Sequence, residues 1–293
     1  MSSPSNGTVT LSTDGSFSYT PNSNYNGPDS FTYKAVDSHN AESNVATVNI
    51  TINAVNDPPT ITGGMISRAQ NGGSSNSQIA TVSDVDNSAA SLTVTVQSAP
   101  AGITVTNIVN TNGTITADVA AGCTASTGSN TVVLQVSDGQ ANTTGNLTVN
   151  VTANTTAPVV TLKTPAVLQP AANHSYHAFT IANMVQSATD DCGGNVINNV
   201  VIEKATSDEV EDSPGGGDGN TRNDIVIAAD CKSVQLRAER DGTMNGRVYL
   251  VTLRVSDSAQ NIARATFKVS VPIGHNAAVD SGVHYTVNSS CPP

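Results

Sequence analysis

Tryptophan is absent from this chain of 293 residues, and aromatic residues make up only 3% of it. Sugar-binding modules usually stack a ring on Trp or Tyr, so the best such platform is missing. Charge is sparse as well, at 12%, with a net of −11. An acidic chain without a basic stripe is a poor nucleic-acid binder, because phosphate neutralisation needs clustered Lys and Arg. The same argument disfavours anionic membrane surfaces. No apolar run approaches the roughly 18 residues a membrane-spanning helix needs. The opening Met1-Ser2-Ser3-Pro4-Ser5-Asn6-Gly7 has neither a charged n-region nor an apolar h-region, so an export signal is expected to lie elsewhere. No CxxC pair exists, which excludes zinc-ribbon and thioredoxin readings. No nucleophile elbow flanks any Ser, and nothing marks a carboxylate pair for acid–base work. The chain is expected not to be an enzyme.

What remains is rich in Thr, Val, Asn, Ser, Ala and Gly. Thr and Val are β-branched and favour strands, whereas Asn, Gly and Ser favour turns. This points to an all-β protein. A repeat organises it. Three segments run alike: an alternating strand, an Asp, a turn, then a second alternating strand. The marker aspartates are Asp37, Asp138 and Asp257. They lie about 100 to 120 residues apart, the size of one immunoglobulin-like β-sandwich. Period-2 alternation places one face of each strand in a core and the other in water.

Proline linkers suggest the boundaries. They predict modules at residues 1–56, 57–156 and 157–274, and a tail at 275–293 with strand character. The first module looks unfinished: roughly five strands are legible where a sandwich has seven or more. Either strands were lost from it or another chain supplies them.

Four cysteines are present. Cys192 and Cys231 fall in one predicted module and are expected to pair, which fits an oxidising compartment. Cys123 and Cys291 stay open between two inert thiols and a bridge that ties the tail to the middle module or to a neighbouring molecule.

The runs Asn6-Gly7-Thr8-Val9, Asp14-Gly15-Ser16-Phe17-Ser18-Tyr19-Thr20-Pro21 and Tyr25-Asn26-Gly27-Pro28-Asp29-Ser30-Phe31-Thr32-Tyr33 closely resemble the bacterial cadherin-like tandem repeat of large adhesins. The resemblance spans residues 6–59 and is generic for the middle module. The third, from Val248-Tyr249 through Asp257 to Phe267-Lys268-Val269-Ser270-Val271, is similar to a hyalin-repeat domain. These resemblances imply tandem immunoglobulin-like sandwiches, a place at the bacterial cell surface, a part in adhesion or spacing, and no catalysis.

They also imply calcium. Calcium takes six to eight oxygen ligands, and cadherin-type repeats supply them at the joint between modules. The matching residues here are Asn56 and Asp57 in the first linker and Asp84 and Asp86 in the next module, joined by Asp37 or Asp138. The alternative is that Asp and Asn are simply good turn residues. The second linker, Asn154-Thr155-Thr156-Ala157-Pro158, carries no acid, although Asp190, Asp191 and Asp257 remain beyond it. Residues 208–220 gather five carboxylates around a Gly run. That loop is expected to be solvated or, with Asp190 and Asp191, to hold a cation. His174 and His177 would share a metal only on a helical turn.

Three readings of function follow. The first is a calcium-stiffened surface spacer whose partners are other modules of the same protein. The second is a filament subunit, in which the strand-like tail completes the first module of a neighbouring copy. The third is an accessory module of a secreted hydrolase.

Overall fold

The computed structural model describes residues 2–169, 175–211, 222–239, 245–273 and 276–291. The chain divides into two compact units. The first comprises Met1–Arg68 and Gly72–Thr152, the second Ala69–Asn71 and Ala153–Pro293. Nearly all regular structure is β-strand, as composition and alternation predicted.

The first unit begins with two separate hairpins. β1 (Gly7–Leu11) pairs with β2 (Phe17–Pro21), and β3 (Gly27–Tyr33) with β4 (Ala46–Ile52). These are four strands where about five were expected. Among the described residues Phe31 is the one large apolar side chain buried here, edge-on to Phe17 with ring centroids 5.1 Å apart. Leu11, Phe17 and Tyr33 stay substantially exposed. Polar pinning supplements this thin core. The buried Asp29 carboxylate accepts the main-chain N–H groups of Ser5, Asn6 and Ser30 and the Tyr19 hydroxyl. Burial alone would raise the Asp29 carboxyl, but these donors hold it below its ordinary value.

A complete sandwich follows. Its strands are β5 (Thr60–Gly63), β6 (Met65–Ala69), β7 (Ser75–Ser83), β8 (Thr93–Ser98), β9 (Ile103–Thr111), β10 (Thr114–Ala121), β11 (Gly128–Ser137) and β12 (Asn142–Thr152). They form two four-stranded sheets, β5-β7-β10-β9 and β6-β12-β11-β8. Along β10 every second residue, Ile115, Ala117, Val119 and Ala121, is buried. These meet Val132, Leu134 and Leu147 from the facing sheet. Truncating a side chain so fully enclosed, such as Leu134→Ala, costs about 2–5 kcal/mol.

The second unit contains β13 (Val159–Leu162), β14 (Ala166–Val167), β15 (Tyr176–Thr180), β16 (Val185–Asp190), β17 (Gly194–Asn195), β18 (Val201–Ser207), β19 (Ile225–Ile227), β20 (Ser233–Arg237), β21 (Arg247–Ser256), β22 (Ile262–Val271) and β23 (Tyr285–Asn288). The sheets run β13-β16-β17, β14-β22-β21-β18-β23 and β15-β20-β19. Met184, Ile202, Leu236, Leu253 and Phe267 centre the core.

One expectation is corrected in this unit. Cys231 pairs with Cys291 and not with Cys192. The reason is the tail: β23 lies antiparallel along β18, with Lys204 opposite Asn288, and brings Cys291 to the Ala228–Cys231 turn. Cys192 sits instead in the turn after β16, and no cysteine is free. The tail is a strand, as its pattern suggested, and within the chain it pairs with β18 at the edge of its own unit's sheet.

Candidate metal centre

The three marker aspartates occupy equivalent hairpin turns, β3–β4, β11–β12 and β21–β22. In each, the main-chain N–H donates across the turn, from Asp37 to Ala41, from Asp138 to Ala141 and from Asp257 to Asn261. One side-chain oxygen caps the same turn. Asp37 Oδ1 accepts from the His39 and Ala41 N–H groups, Asp138 Oδ1 from those of Gln140 and Ala141, and Asp257 Oδ1 from that of Asn261. The left-handed residue each turn requires is Asn40, Gly139 or Gln260. Turn chemistry therefore explains the repeat of Asp at these positions.

The first linker adds more to Asp138. Asn56 Nδ2 donates to Asp138 Oδ2 at 2.8 Å, and the Asp57 N–H donates to Asp86 Oδ2 at 2.7 Å. Asp84 Oδ1 accepts three donors: the Asp86 and Asn87 N–H groups and the Asn87 side-chain amide. Its other oxygen, Oδ2, is buried without a hydrogen-bond partner. Main-chain donation from Ala141, then the Asn56 amide, holds the Asp138 carboxyl below its ordinary value. Asp37 is absent from these linker contacts. Asn56, Asp57, Asp84, Asp86 and Asp138 thus form one hydrogen-bonded chain, in which Asp57 takes part through its main chain.

Among the described residues, no three His, Cys, Asp or Glu side chains converge on a common point. The fit to calcium rests on two other observations. A buried carboxylate oxygen without a donor is a position a cation can satisfy, and the available ligands are all of the hard oxygen type calcium takes. On those grounds the linker residues fit the ion.

A second aspartate cluster lies within the second unit. Asp190 Oδ1 accepts the Cys192 and Gly193 N–H groups, and its Oδ2 is again buried without a partner. The neighbouring acids differ from those of the linker. Asp191 receives the Asn154 amide at 2.6 Å and the Asn71 amide at 3.3 Å, and these hold its carboxyl below the ordinary value, the Asn154 contact foremost. Asn261 Nδ2 donates to Asp257 Oδ2 at 2.7 Å and to the Asn154 carbonyl at 3.0 Å. Amides stand on Asp191 and Asp257, while Asp190 Oδ2 has none.

The acidic run at 208–220 is only partly visible, since residues 212–220 lie outside those described, as does His174. Its first members are not solvated, contrary to expectation. Asp208 accepts the Val248 N–H at 2.7 Å, and Glu209 Oε2 meets Arg247 Nε at 2.9 Å. Arg247 is fully buried. Its Nη1 bonds Asp224 Oδ2 at 2.6 Å and the Tyr249 hydroxyl at 3.1 Å. Glu239 and Arg237 complete the cluster. Burial pushes the Asp224 carboxyl up to about 7, and its hydrogen bond with Glu239 adds to this against the pull of Arg247. Sequence reasoning missed this network. The signal was Arg247 itself, at an inward position two before Tyr249 and four before Val251 on an alternating strand.

Residues 1–54 match the family model of the bacterial cadherin-like domain. No curated protein matches the chain. Among solved structures, protocadherin gamma B2 extracellular cadherin domains 1–5 aligns at 15% identity and a TM-score of 0.48, over 92% of this chain and 51% of that one. Human CDH23 EC21–23 aligns at 14% identity and 0.44, over 90% and 81%. The endo-fucoidan hydrolase MfFcnA4, of glycoside hydrolase family 107, aligns at 16% identity and 0.32, over 91% and 37%. The chain thus spans a third to a half of the length of the first structures it matches. The first 54 residues are similar to a bacterial cadherin-like domain, as their Asn-Gly-Thr-Val and Tyr-Asn-Gly-Pro-Asp-Ser-Phe runs implied.

Proposed function

We propose that this chain is a non-catalytic, extracellular adhesion or spacer segment of a bacterial surface protein, stiffened by calcium at its first linker. Residues 1–56, 57–156 and 157–274 act as serial modules, with other modules of the same protein as their first partners. The observation that carries the calcium reading is the buried, partnerless Asp84 Oδ2 at the head of the chain Asp84–Asp86–Asp57–Asn56–Asp138. Asp84, Asp86 and Asp57 would hold the ion, aided by Asn56 and Asp138. Calcium would supply the positive charge these oxygens lack, so the linker would resist bending. The second cluster is left out of this proposal, because Asn154, Asn71 and Asn261 already donate to Asp191 and Asp257.

Calorimetric titration of calcium into the full chain tests the site. Saturable binding is expected, lost in the doubly substituted Asp84→Asn, Asp86→Asn chain. A flat titration, or one unchanged in that variant, overturns the proposal. Small-angle scattering tests the mechanical part: chelation should broaden the distribution of dimensions, and identical curves contradict stiffening.

A further inference from the structure

The tail strand is held on its sheet by a short ladder and one covalent bond, with side contacts from Ser281 to Asp208 and from the Tyr285 hydroxyl to Glu211. β23 has four residues, paired with β18 from Lys204↔Asn288 to Ser207↔Tyr285. Main-chain bonds from His284 to Ser207 and from Ser289 to Glu203 extend the ladder by one at each end. Tyr285 and Val287 pack half-buried against the core, while Val279 and Val283 before them are exposed. Beyond the strand, Cys291 bonds Cys231, a fully buried residue held in the left-handed conformation at φ 55°. β18 has β21 on its other side, so removing β23 bares the edge of Val201–Ser207. Such an edge is a template for strand addition.

We propose that Cys231–Cys291 is a redox latch on an exchangeable edge strand: when the bond is reduced, β23 leaves β18, and the bared edge accepts the tail strand of a second copy of this chain. A dithiol supplies the step. It passes two electrons and two protons to the bond, leaving thiols at Cys231 and Cys291 and its own sulfurs joined. The second copy is the occupant because the edge is already cut to this sequence. The same register seats Tyr285 and Val287 in the same half-buried positions. It also delivers the incoming Cys291 to the acceptor's Cys231, so reoxidation would seal the exchange. The segment between Val271 and Tyr285 gives the reach, roughly 40 Å when extended. This is domain swapping gated by a disulfide.

The test mixes equal amounts of nitrogen-15-labelled and unlabelled full chain at high concentration. The mixture is reduced briefly with dithiothreitol under native conditions, then reoxidised. Peptides linked through Cys231 and Cys291 are read by mass spectrometry. Mixed-isotope linkages are expected, approaching half of the total, with a dimer or larger species on non-reducing gels. Mixed linkages at the level of a never-reduced control overturn the proposal. Hydrogen exchange on the Cys291→Ser chain gives an independent reading. Amides of 285–288 and of the β18 edge should exchange at least tenfold faster than in the oxidised chain at low concentration. Unchanged protection there contradicts the latch.

Discussion

The two units deal with carboxylates in opposite ways. At the first linker, Asp57 and Asp86 are exposed, and Asp84 keeps a buried oxygen with no donor. Two side-chain amides serve the group, Asn56 on Asp138 and Asn87 on Asp84. In the second unit Asp190 Oδ2 is likewise buried without a donor, but the acids around it are answered from inside. Arg247 meets Glu209 and Asp224, and Asn154 and Asn261 cover Asp191 and Asp257. Asp138 and Asp257 both cap their hairpin turns through Oδ1, although the Asp257 turn is one residue longer, so the cap itself does not make the difference. The donors around the turn do. An Asp in a given place keeps an open oxygen or completes a structural contact according to which donors face it.

The largest way to break this comparison is to remove the internal cation. Arg247→Met removes the Arg247 guanidinium from the buried Glu209 and Asp224, leaving Arg237 3.4 Å from Asp224. That should cost the second unit about 3–5 kcal/mol, seen as early melting of that unit, with calcium binding at the first linker intact. The pH dependence sharpens the contrast next. Asp224 titrates near 7 in the fold against an ordinary 3.8. Its folded value is raised, so its contribution is complete below about pH 4 and is lost as pH rises through about 7. Urea unfolding between those limits should show the second unit weakening by up to about 1.4 kcal/mol per pH unit, and Asp224→Asn should flatten the slope. Asp138 runs the other way. Its lowered value gives stability that is present above the ordinary carboxylate range and lost on acidification below it.

Asn154→Asp would turn the second cluster into a likeness of the first. A carboxylate would replace the amide that donates to Asp191 at 2.6 Å, at a cost of roughly 1–3 kcal/mol in chelator. Added calcium should restore the loss in a thermal melt. The smallest effect belongs to Asp84→Asn. The remaining Oδ1 still caps its turn, so stability in chelator should change by no more than about 0.5 kcal/mol, while the calcium-induced rise in melting temperature vanishes.

Much of the fold was legible in the sequence because alternation and turn chemistry are local. Each marker Asp sits in its hairpin turn, and the tail is a strand. The partner of that strand was not legible. Pairing between β18 and β23 spans some eighty residues, and nothing in a strand's own pattern names its neighbour. The Cys231–Cys291 bond failed for the same reason: four cysteines allow three connectivities, and proximity in sequence favoured the wrong one. Of the candidate site, Asn56, Asp57, Asp84, Asp86 and Asp138 do meet in one hydrogen-bonded chain. What sequence could not reveal was that Asp208 and Glu209 point inward to Val248 and Arg247. An acidic run reads as solvated unless the buried arginine opposite is noticed first.

Hydrogen exchange of the full chain with calcium and with chelator tests the contrast between the two clusters most directly. Calcium should slow exchange at residues 56–57, 84–87 and 138–141 and leave 154–156, 190–193 and 257–261 unchanged. Equal protection at both clusters, or none at the first, would contradict the account.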